Sequence, residues 1–355
     1  MGWGFSALPS RTLRDHRPSF GPQPKLNWTL RDTSNALEIT RPSAEVEWPQ
    51  GRPIEETHHD DRVRLFSGDA LDLLSVREQL PAIQSVITSP TYWGKRQFTT
   101  DQREFGREPL EQYLDKCVKL FGGLLDIVAD TGSLFFVMQD SRMGSGISRS
   151  QHFSDEFFKA NPGWKRNGNS KEVHGNTSKV TARHDVIENT SWCGIPFRIA
   201  NRLVDAGYIW RDYIIWDKPN PMPDKIVNRT RQSAEYIFHF VKSRTYLFHP
   251  EAISVPGKSG RLRPMNQVWT DVPHAEKIHS ATFPPSLVER LMNATTNPGD
   301  WVMDPFLGSG TTLKVALKNG RRVVGCDLNP EFVRLARGFV DPAALGDNLF
   351  AYDSV

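Results

Sequence analysis

The chain has 355 residues, with 44 Lys and Arg against 41 Asp and Glu, and a formal net charge of +3 at pH 7. This length fits one α/β catalytic domain with insertions as well as two average domains, and we expect the former. The small net charge excludes a surface that is basic throughout, so any phosphate-binding surface must be local.

The cysteine content and the hydropathy pattern indicate the cellular setting. Cys117, Cys193 and Cys326 show no metal-ligand spacing and are odd in number, which favours a reduced, cytoplasmic protein over a disulfide framework. No apolar run approaches the roughly 18 residues of a membrane span, and residues 1–5 lack the pattern of a signal peptide. We therefore expect a soluble protein that binds neither a membrane nor a metal ion.

The composition and periodicity of the first 140 residues predict an extension followed by alternating strands and helices. Residues 1–60 are rich in Pro, Arg and Asp with little periodicity, which is typical of an extension. Residues 61–140 contain short apolar runs of strand length and one segment with helical spacing. The predicted elements are strands at 63–66, 85–88 and 134–138 and a helix at 110–129.

Two aperiodic segments interrupt the middle of the chain. Residues 141–190 are dominated by Gly, Ser, Asn and basic residues, and an inserted loop of this length is usually functional or disordered. Residues 191–250 return to periodic structure, with a helix at 195–203 and strands at 208–216 and 236–241 that we expect to form an antiparallel pair at the sheet edge. Residues 251–275 are again irregular and carry Lys258, Arg261 and Arg263.

The last segment, 276–355, alternates regularly between helices and strands. Its pattern of strand, helix, strand, helix looks like the start of a nucleotide-binding fold placed at the end of the chain. The predicted elements are helices at 285–294, 311–319 and 330–339 and strands at 301–304 and 322–327.

Two short motifs each follow an apolar strand. Ser89-Pro90-Thr91-Tyr92 places a hydroxyl, a proline carbonyl and an aromatic ring at the carboxyl end of a strand, where open α/β sheets bind their ligands. Residues 304–312, Asp-Pro-Phe-Leu-Gly-Ser-Gly-Thr-Thr, form a glycine turn that leads into a helix and lets a ligand approach the backbone. Asp327 ends the next strand, at the distance where an acidic residue usually holds a ribose hydroxyl.

Together these segments resemble the S-adenosylmethionine-dependent DNA amino-methyltransferases of the permuted, beta-type order, in which the catalytic motif precedes the cofactor motif. The resemblance covers roughly residues 60 to 340 and extends to segments 66–71, 214–223, 279–284 and 324–330. It implies a Rossmann-like α/β sheet, mostly parallel with an antiparallel edge hairpin and a circularly permuted motif order.

The resemblance also implies a cofactor site. Asp304 and the backbone of the glycine turn lie near the methionine part of S-adenosylmethionine, Asp327 takes the ribose, and Asp69 lies on the adenine side. Asp69 is equally suited to cap the helix that follows it. The full predicted set is Asp69, Ala70, His279, Thr282, Phe283, Asp304, Phe306, Gly308, Ser309, Asp327 and Leu328.

The catalytic motif suits methylation of an exocyclic base amine. Such an amine is a poor nucleophile because its lone pair is conjugated with the ring, and acceptors such as the Ser89 hydroxyl and the Pro90 carbonyl favour a more tetrahedral nitrogen. Tyr92 would stack on the base, and Thr91 stands where the commoner motif has a second proline. Transfer then proceeds by in-line displacement, with the rate gained through positioning and fixed dipoles.

The target base follows from the same motif. Methylation at carbon 5 of cytosine needs a thiolate, typically from a Pro-Cys dipeptide, and the chain contains none. Family members with Ser first usually act on cytosine N4, and those with Asp or Asn first act on adenine N6. We therefore expect a cytosine-N4 enzyme, with adenine N6 as the alternative. A catalytically silent DNA-binding relative, hinted at only by Thr91, and methylation of RNA or a protein amide are further alternatives.

The expected substrate is double-stranded DNA. A base inside a duplex cannot reach such a pocket, so it must be flipped out or already be single-stranded. Flipping requires contacts to the flanking phosphates. We expect the 141–190 insertion to contact DNA and 251–275 to contribute to target recognition. A cognate restriction endonuclease is a possible partner, and the protein is expected to be a monomer or homodimer. The candidate DNA-binding residues are Lys95, Arg96, Lys165, Arg166, Lys171, Lys179, Lys218, Arg229 and Arg231.

Overall fold

The computed structural model of the chain describes residues 53–95, 98–144, 184–218, 228–270 and 283–341. Short apolar runs form the strands, and segments with helical spacing form the helices. The strands are β1 (Glu55–His59), β2 (Val63–Ser67), β3 (Ile83–Thr88), β4 (Val128–Met138), β5 (Ile209–Asp217), β6 (Ala234–Val241), β7 (Ser254–Pro256), β8 (Leu262–Pro264), β9 (Val268–Trp269), β10 (Trp301–Asp304) and β11 (Arg322–Asp327). The α-helices are α1 (Leu110–Leu124), α2 (Ile195–Asp205), α3 (Pro285–Thr295), α4 (Thr311–Lys318) and α5 (Pro330–Arg337).

In these ranges, nine strands form one sheet in the order β1-β2-β11-β10-β3-β4-β6-β5-β9. The five strands β2, β11, β10, β3 and β4 are parallel to one another, while β6 runs antiparallel to both of its neighbours. The carboxyl ends of these five strands therefore lie at one end of the sheet, which we name the carboxyl edge. The amino end of β6 lies there as well.

Helices cover both faces of this sheet because successive side chains of a strand point to opposite faces. In β4, Leu134 and Phe136 pack into the core beneath α1 and α2, whereas Phe135 and Val137 pack into the core beneath α3, α4 and α5. All six residues of β3 are buried. Its apolar residues are Ile83, Val86 and Ile87, and its three buried polar side chains are hydrogen-bonded: Gln84 to the Thr295 carbonyl, Ser85 to the Thr295 hydroxyl and Thr88 to Asp304.

The sheet extends beyond the predicted strands at both sides. Glu55–His59, inside the segment predicted to be an extension, pairs antiparallel with β2. The predicted antiparallel pair of β5 and β6 is present, but the two-residue strand Val268–Trp269 adds to β5 and forms the outermost strand. Both additions are too short or too polar to show a periodic pattern, and their pairing depends on a neighbour already in place.

Several local predictions were wrong, and the strand predicted at 134–138, for example, already begins at Val128. Helix α1 ends at Leu124 rather than at 129, because Gly122 and Gly123 lie in its last turn and the chain then enters β4 at Val128. Residues 254–264, predicted as irregular, form a short antiparallel hairpin of β7 and β8 whose turn is closed by a bond from the Gly257 N–H to the Arg261 carbonyl, 2.8 Å.

The described ranges contain no helix long and apolar enough to cross a membrane. The same ranges contain no group of three or more His, Cys, Asp or Glu side chains arranged to hold a metal ion.

Candidate active site

Asp304 ends β10 and organises the glycine turn from inside. Its carboxylate accepts hydrogen bonds from the Thr88 hydroxyl at 2.6 Å, the Thr312 hydroxyl at 2.7 Å and the Phe306 N–H at 3.1 Å. The side chain is buried, and burial raises the pKa of Asp304 to about 6 although the three hydrogen bonds act in the opposite direction. Asp304 thus fixes the end of β3, the turn and the start of α4 relative to one another.

The turn after Asp304 depends on glycine. Gly308 and Gly310 have φ of 54° and 86°, in the left-handed region that a side chain rarely adopts. The Leu307 N–H donates to the Cys326 carbonyl at 2.8 Å and the Gly310 N–H to the Leu307 carbonyl at 3.0 Å, so the turn is held against β11. The result is a hydrogen-bonded turn at the carboxyl edge that is buried on both sides of the half-buried Gly308.

Asp327, at the end of β11, lies beside this turn. Its two carboxylate oxygens accept the Gly308 N–H and the Asn329 N–H, each at 2.8 Å. Burial raises the pKa of Asp327 to about 6, the two backbone bonds lower it, and the nearby charge of Asp304 raises it further. The structure therefore brings together the predicted ribose-binding acid and the predicted cofactor turn.

Asp69 follows β2 and completes a row of three carboxylates. It lies in the strand order next to Asp327, and the Gly68 N–H donates to the Asp327 carbonyl at 3.1 Å. The Asp69 carboxylate accepts the Leu71 N–H at 3.0 Å and so caps Ala70–Ser75, as predicted, although this turn is a 3-10 helix. Burial raises its pKa, against the opposing charge of Lys116 at 4.0 Å.

An ordered segment from 98 to 108 packs against this row, and the sequence did not predict it. The Phe105 ring meets Phe306 edge to face with centroids 4.9 Å apart. Buried Glu104 accepts the Phe98 N–H at 2.5 Å and pairs with Arg107 Nε at 3.1 Å. Burial raises the pKa of Glu104 to about 7, and the charge of Asp327 adds to this effect. The segment is polar and aperiodic, so no sequence pattern marks it.

The catalytic motif forms a turn directly after β3. Its departure from the common pattern, Thr91, leaves the turn fixed, because the buried Tyr113 hydroxyl donates to the Thr91 carbonyl at 2.8 Å. The Tyr92 hydroxyl lies 3.4 Å from Ser89 Oγ and donates to Glu235 Oε2 at 2.7 Å. The predicted catalytic residues Ser89, Pro90, Thr91 and Tyr92 therefore lie next to the Asp304 turn, through the Thr88 bond.

Glu235 is a site residue that sequence analysis missed. It lies at the amino end of β6, is buried, and accepts hydrogen bonds from both Tyr92 and Lys218. The Lys218 ammonium also lies 4.5 Å from the centroid of the Trp216 ring. Lys218, predicted to contact DNA, thus belongs to an active-site network, and a phosphate contact for it stays a prediction. The available signal was an acid inside an otherwise apolar strand.

The remaining predicted residues divide into three groups. Ala70 and Phe283 are buried in the two cores, and Leu328 and Ser309 lie in the loops beside Asp327 and Asp304. Arg231 is exposed, while Lys95 is half-buried, and burial lowers its pKa. The predicted residues that lie outside the described ranges are Arg96, Lys165, Arg166, Lys171, Lys179, His279 and Thr282.

Comparison with known proteins identifies the family. The model of the N6/N4 DNA methylase family matches residues 83–338, so the chain belongs to this family. The Type II methyltransferase M.XycI of Xanthomonas campestris pv. cyanopsidis is 34% identical over 275 residues, which cover 77% of this chain and 85% of M.XycI. The predicted family is therefore confirmed, together with the S-adenosylmethionine dependence that belongs to it.

Solved structures confirm the fold class. The cytosine-N4-specific PvuII DNA methyltransferase superposes with a TM-score of 0.55 at 18% identity, over 81% of this chain and 93% of that enzyme. TTHA0409 from Thermus thermophilus, solved in complex with S-adenosyl-L-methionine, gives a TM-score of 0.50 at 23% identity, over 80% and 95% of the two chains. At these identities the likeness establishes the fold alone.

Proposed function

Because the chain belongs to the N6/N4 DNA methylase family, we propose that it methylates the exocyclic N4 amine of cytosine in duplex DNA, at a specific site and on a flipped base. The observation that carries this proposal is the bond between Thr88 Oγ1 and Asp304 Oδ1, 2.6 Å. It joins the residue that precedes Ser89 to the acid that forms the cofactor turn. The proposed base site and the proposed cofactor site would therefore adjoin at the carboxyl edge, as direct transfer requires.

The row of carboxylates at this edge suits the proposed cofactor. S-adenosylmethionine supplies a methyl group bound to a positively charged sulfur. Asp327 would accept the ribose hydroxyls, Asp69 would lie on the adenine side, and the Gly308 backbone would lie beside the methionine part. Burial raises the pKa values of Asp304 and Asp327 to about 6, so both carboxyls are largely ionised at pH 7 and their negative charge favours a cation beside them.

The residues of the catalytic motif would act on the target amine. The Ser89 hydroxyl and the Pro90 carbonyl accept its hydrogens, so that the nitrogen lone pair points toward the methyl group. The bond from Tyr92 to Glu235 fixes the tyrosine ring, on which the flipped base would stack. The amine loses its proton after transfer, and no strong base is needed before attack.

The choice of cytosine rests on Ser89 in the first position of the motif. Adenine N6 is the alternative outcome for the same site.

The exposed hairpin of β7 and β8 with its three cations supports the proposal that residues 251–275 contribute to target recognition. M.XycI is a Type II methyltransferase, which supports a cognate endonuclease as partner. The buried thiols Cys117, Cys193 and Cys326 suit the reducing cytoplasm.

The test is methylation of plasmid DNA with labelled S-adenosylmethionine, followed by digestion and mass spectrometry of the nucleosides. We expect N4-methylcytosine from the wild type and at least a hundredfold lower rate from Ser89→Ala. Ser243→Ala, a serine at the opposite end of the sheet whose hydroxyl donates to the Thr245 carbonyl, is the matched control and should retain activity. N6-methyladenine alone would overturn the cytosine assignment, and no methylated base from folded protein would overturn the enzymatic function.

A further inference from the structure

Two paired chain segments lie beside the catalytic motif, where the chain leaves β4 and returns before α2. Three backbone bonds of 2.9 Å each pair residues 141–143 with 190–193: Met143 N–H to the Ser191 carbonyl, Thr190 N–H to the Met143 carbonyl, and Cys193 N–H to the Ser141 carbonyl. Arg142 and Trp192 form the bridge between the two segments. We name this pair of segments the pin.

The pin presents an aromatic side chain to solvent. Trp192 is 43% exposed, and the Arg142 guanidinium lies 3.6 Å from the centroid of its ring. The same guanidinium donates to the Thr190 carbonyl at 2.8 Å, which fixes it over the indole. Arginine and tryptophan thereby form one flat, positively charged plate, a surface suited to both the face of a base and a phosphate.

The backbone that holds this plate is strained. Thr190 has φ of 70°, and it is the one non-glycine residue with positive φ in the described ranges. A β-branched residue in this conformation is an outlier. Such outliers persist where the surrounding structure imposes them, and they cluster at functional sites. The backbone preference of Thr190 therefore does not explain why Trp192 is held in an exposed position.

The pin is anchored to the active site. The Asp140 carboxylate, just beyond β4, accepts the N–H groups of Ser141, Gly194 and Ile195 at 2.8 to 2.9 Å. The Ser141 hydroxyl donates to the carbonyl of Trp93, the residue after Tyr92, at 2.9 Å. The plate therefore has a fixed position relative to the motif that would receive the flipped base.

Positive charge collects at the same place. Lys95, three residues after Tyr92, lies close enough to Arg142 and Arg229 for both charges to lower its pKa, although burial is the larger cause. The opposing carboxylate is Asp140, whose oxygens already accept three backbone hydrogen bonds. Three cations close to one another beside the catalytic turn favour a polyanion at this position.

We propose that Trp192 stacks on a base adjacent to the flipped nucleotide, while Arg142, Lys95 and Arg229 contact the phosphates around it. This inference rests on the proposed function, since it assumes a duplex with one base removed from the stack. Extrusion leaves the neighbouring bases partly unstacked, and an aromatic side chain can replace the lost stacking. The plate would thereby hold the DNA in the flipped state.

The test uses Trp192→Ala, Trp192→Phe and Arg142→Ala, with Arg322→Ala as matched control, because Arg322 lies over Trp301 at the opposite end of the sheet. The probe is a duplex that carries the methylation site of the wild type, with pyrrolocytosine, a fluorescent cytosine analogue that pairs with guanine, at the target base to report extrusion. We expect Trp192→Ala to bind this duplex at least tenfold more weakly and to lose the fluorescence increase. Trp192→Phe should retain most of both, and cofactor affinity should not change.

The outcomes separate this inference from the proposed function. A wild type that methylates DNA, together with a Trp192→Ala variant of normal DNA affinity and fluorescence, would overturn the stacking role alone. Loss of cofactor affinity or of folding in Trp192→Ala would assign Trp192 a structural role and overturn it as well. A changed oligomeric state with normal DNA affinity would overturn it in favour of a protein contact. Failure of the wild type to methylate any DNA would instead remove the proposed function.

Discussion

Cofactor affinity should depend on pH through Asp327. The Asp327 carboxylate would accept ribose hydroxyls only when ionised, and burial raises its pKa to about 6. Roughly a tenth of these groups are ionised at pH 5 and roughly nine tenths at pH 7. Because the cofactor binds the ionised form, affinity is lost as the pH falls through 6. We expect a dissociation constant about tenfold higher at pH 5 than at pH 7, or about 1.4 kcal/mol.

The measurement is isothermal titration of S-adenosylmethionine into the protein at pH 5, 6, 7 and 8. Asp327→Asn should bind at least tenfold more weakly at pH 8 and lose most of the pH dependence, because an amide cannot accept both hydroxyls and both N–H groups. Asp60→Asn is the matched control. Asp60 accepts the Arg62 and Val63 N–H groups at 2.7 Å each, at the opposite end of β2, and its replacement should leave affinity unchanged.

Two results would refute this reasoning. A constant dissociation constant for the wild type between pH 5 and 8 would mean that Asp327 does not take the ribose or that its ionisation is not raised into this range. The same tenfold dependence in Asp327→Asn would assign the titration to another group. The pKa of Asp304 is also about 6, but its carboxylate accepts hydrogen bonds from the protein itself. The pH dependence of Asp304→Asn therefore distinguishes titration of Asp304 from titration of Asp327.

Three further outcomes follow from the same structure. The free energy of unfolding, measured with urea, should fall as the pH rises from about 4 to 7, because burial raises the folded pKa values of Asp304 and Asp327 to about 6 and that of Glu104 to about 7, so the folded state holds these protons more tightly. Asp304→Asn should remove only the Asp304 contribution, roughly 3 kcal/mol for a rise of its pKa from 3.8 to about 6. Tyr92→Phe and Glu235→Gln should each lower the methylation rate about tenfold or more with unchanged cofactor affinity. If the double variant loses no more activity than either single variant, the two residues act as one network. Replacing the three cations of the β7 and β8 hairpin by Ala should lower the salt slope of DNA binding by roughly 3, and an unchanged slope would exclude phosphate contacts there; the replaced residues are Lys258, Arg261 and Arg263.

The sequence predicted those parts of the fold whose pattern is local. Strands such as Trp301–Asp304 and Arg322–Asp327 were predicted with their observed bounds because each is an apolar run ended by an acid. Strand Glu55–His59 was not predicted, since its polar residues have little strand propensity and only pairing with β2 stabilises it. Helix α1 was predicted too long because apolar spacing continued by chance through the turn before β4.

Sequence analysis proposed candidate catalytic and cofactor residues only where a motif marks them. Asp304, Asp327 and Ser89 lie in motifs, whereas Glu235 and Trp192 gain their positions from contacts that no local pattern encodes. The Tyr92 hydroxyl meets Glu235 across 143 residues of chain. Segment 98–108 likewise carries Glu104 to the side of Asp327 without any periodic signal. Long-range pairing of polar groups is therefore the part of the site that requires a structure.

The permuted order of the motifs has a simple physical account. Val302 and Met303 of β10 pair in parallel with Ser85 and Val86 of β3, so the carboxyl ends of these strands adjoin whichever comes first in the chain. The Thr88 to Asp304 bond then spans 216 residues but only one strand spacing. Because Thr88 precedes Ser89 directly, the acid that shapes the cofactor turn also fixes the first residue of the catalytic motif. The proposed cofactor turn and the catalytic turn are thus two parts of one hydrogen-bonded unit, and a substitution in one turn should change the position of the other.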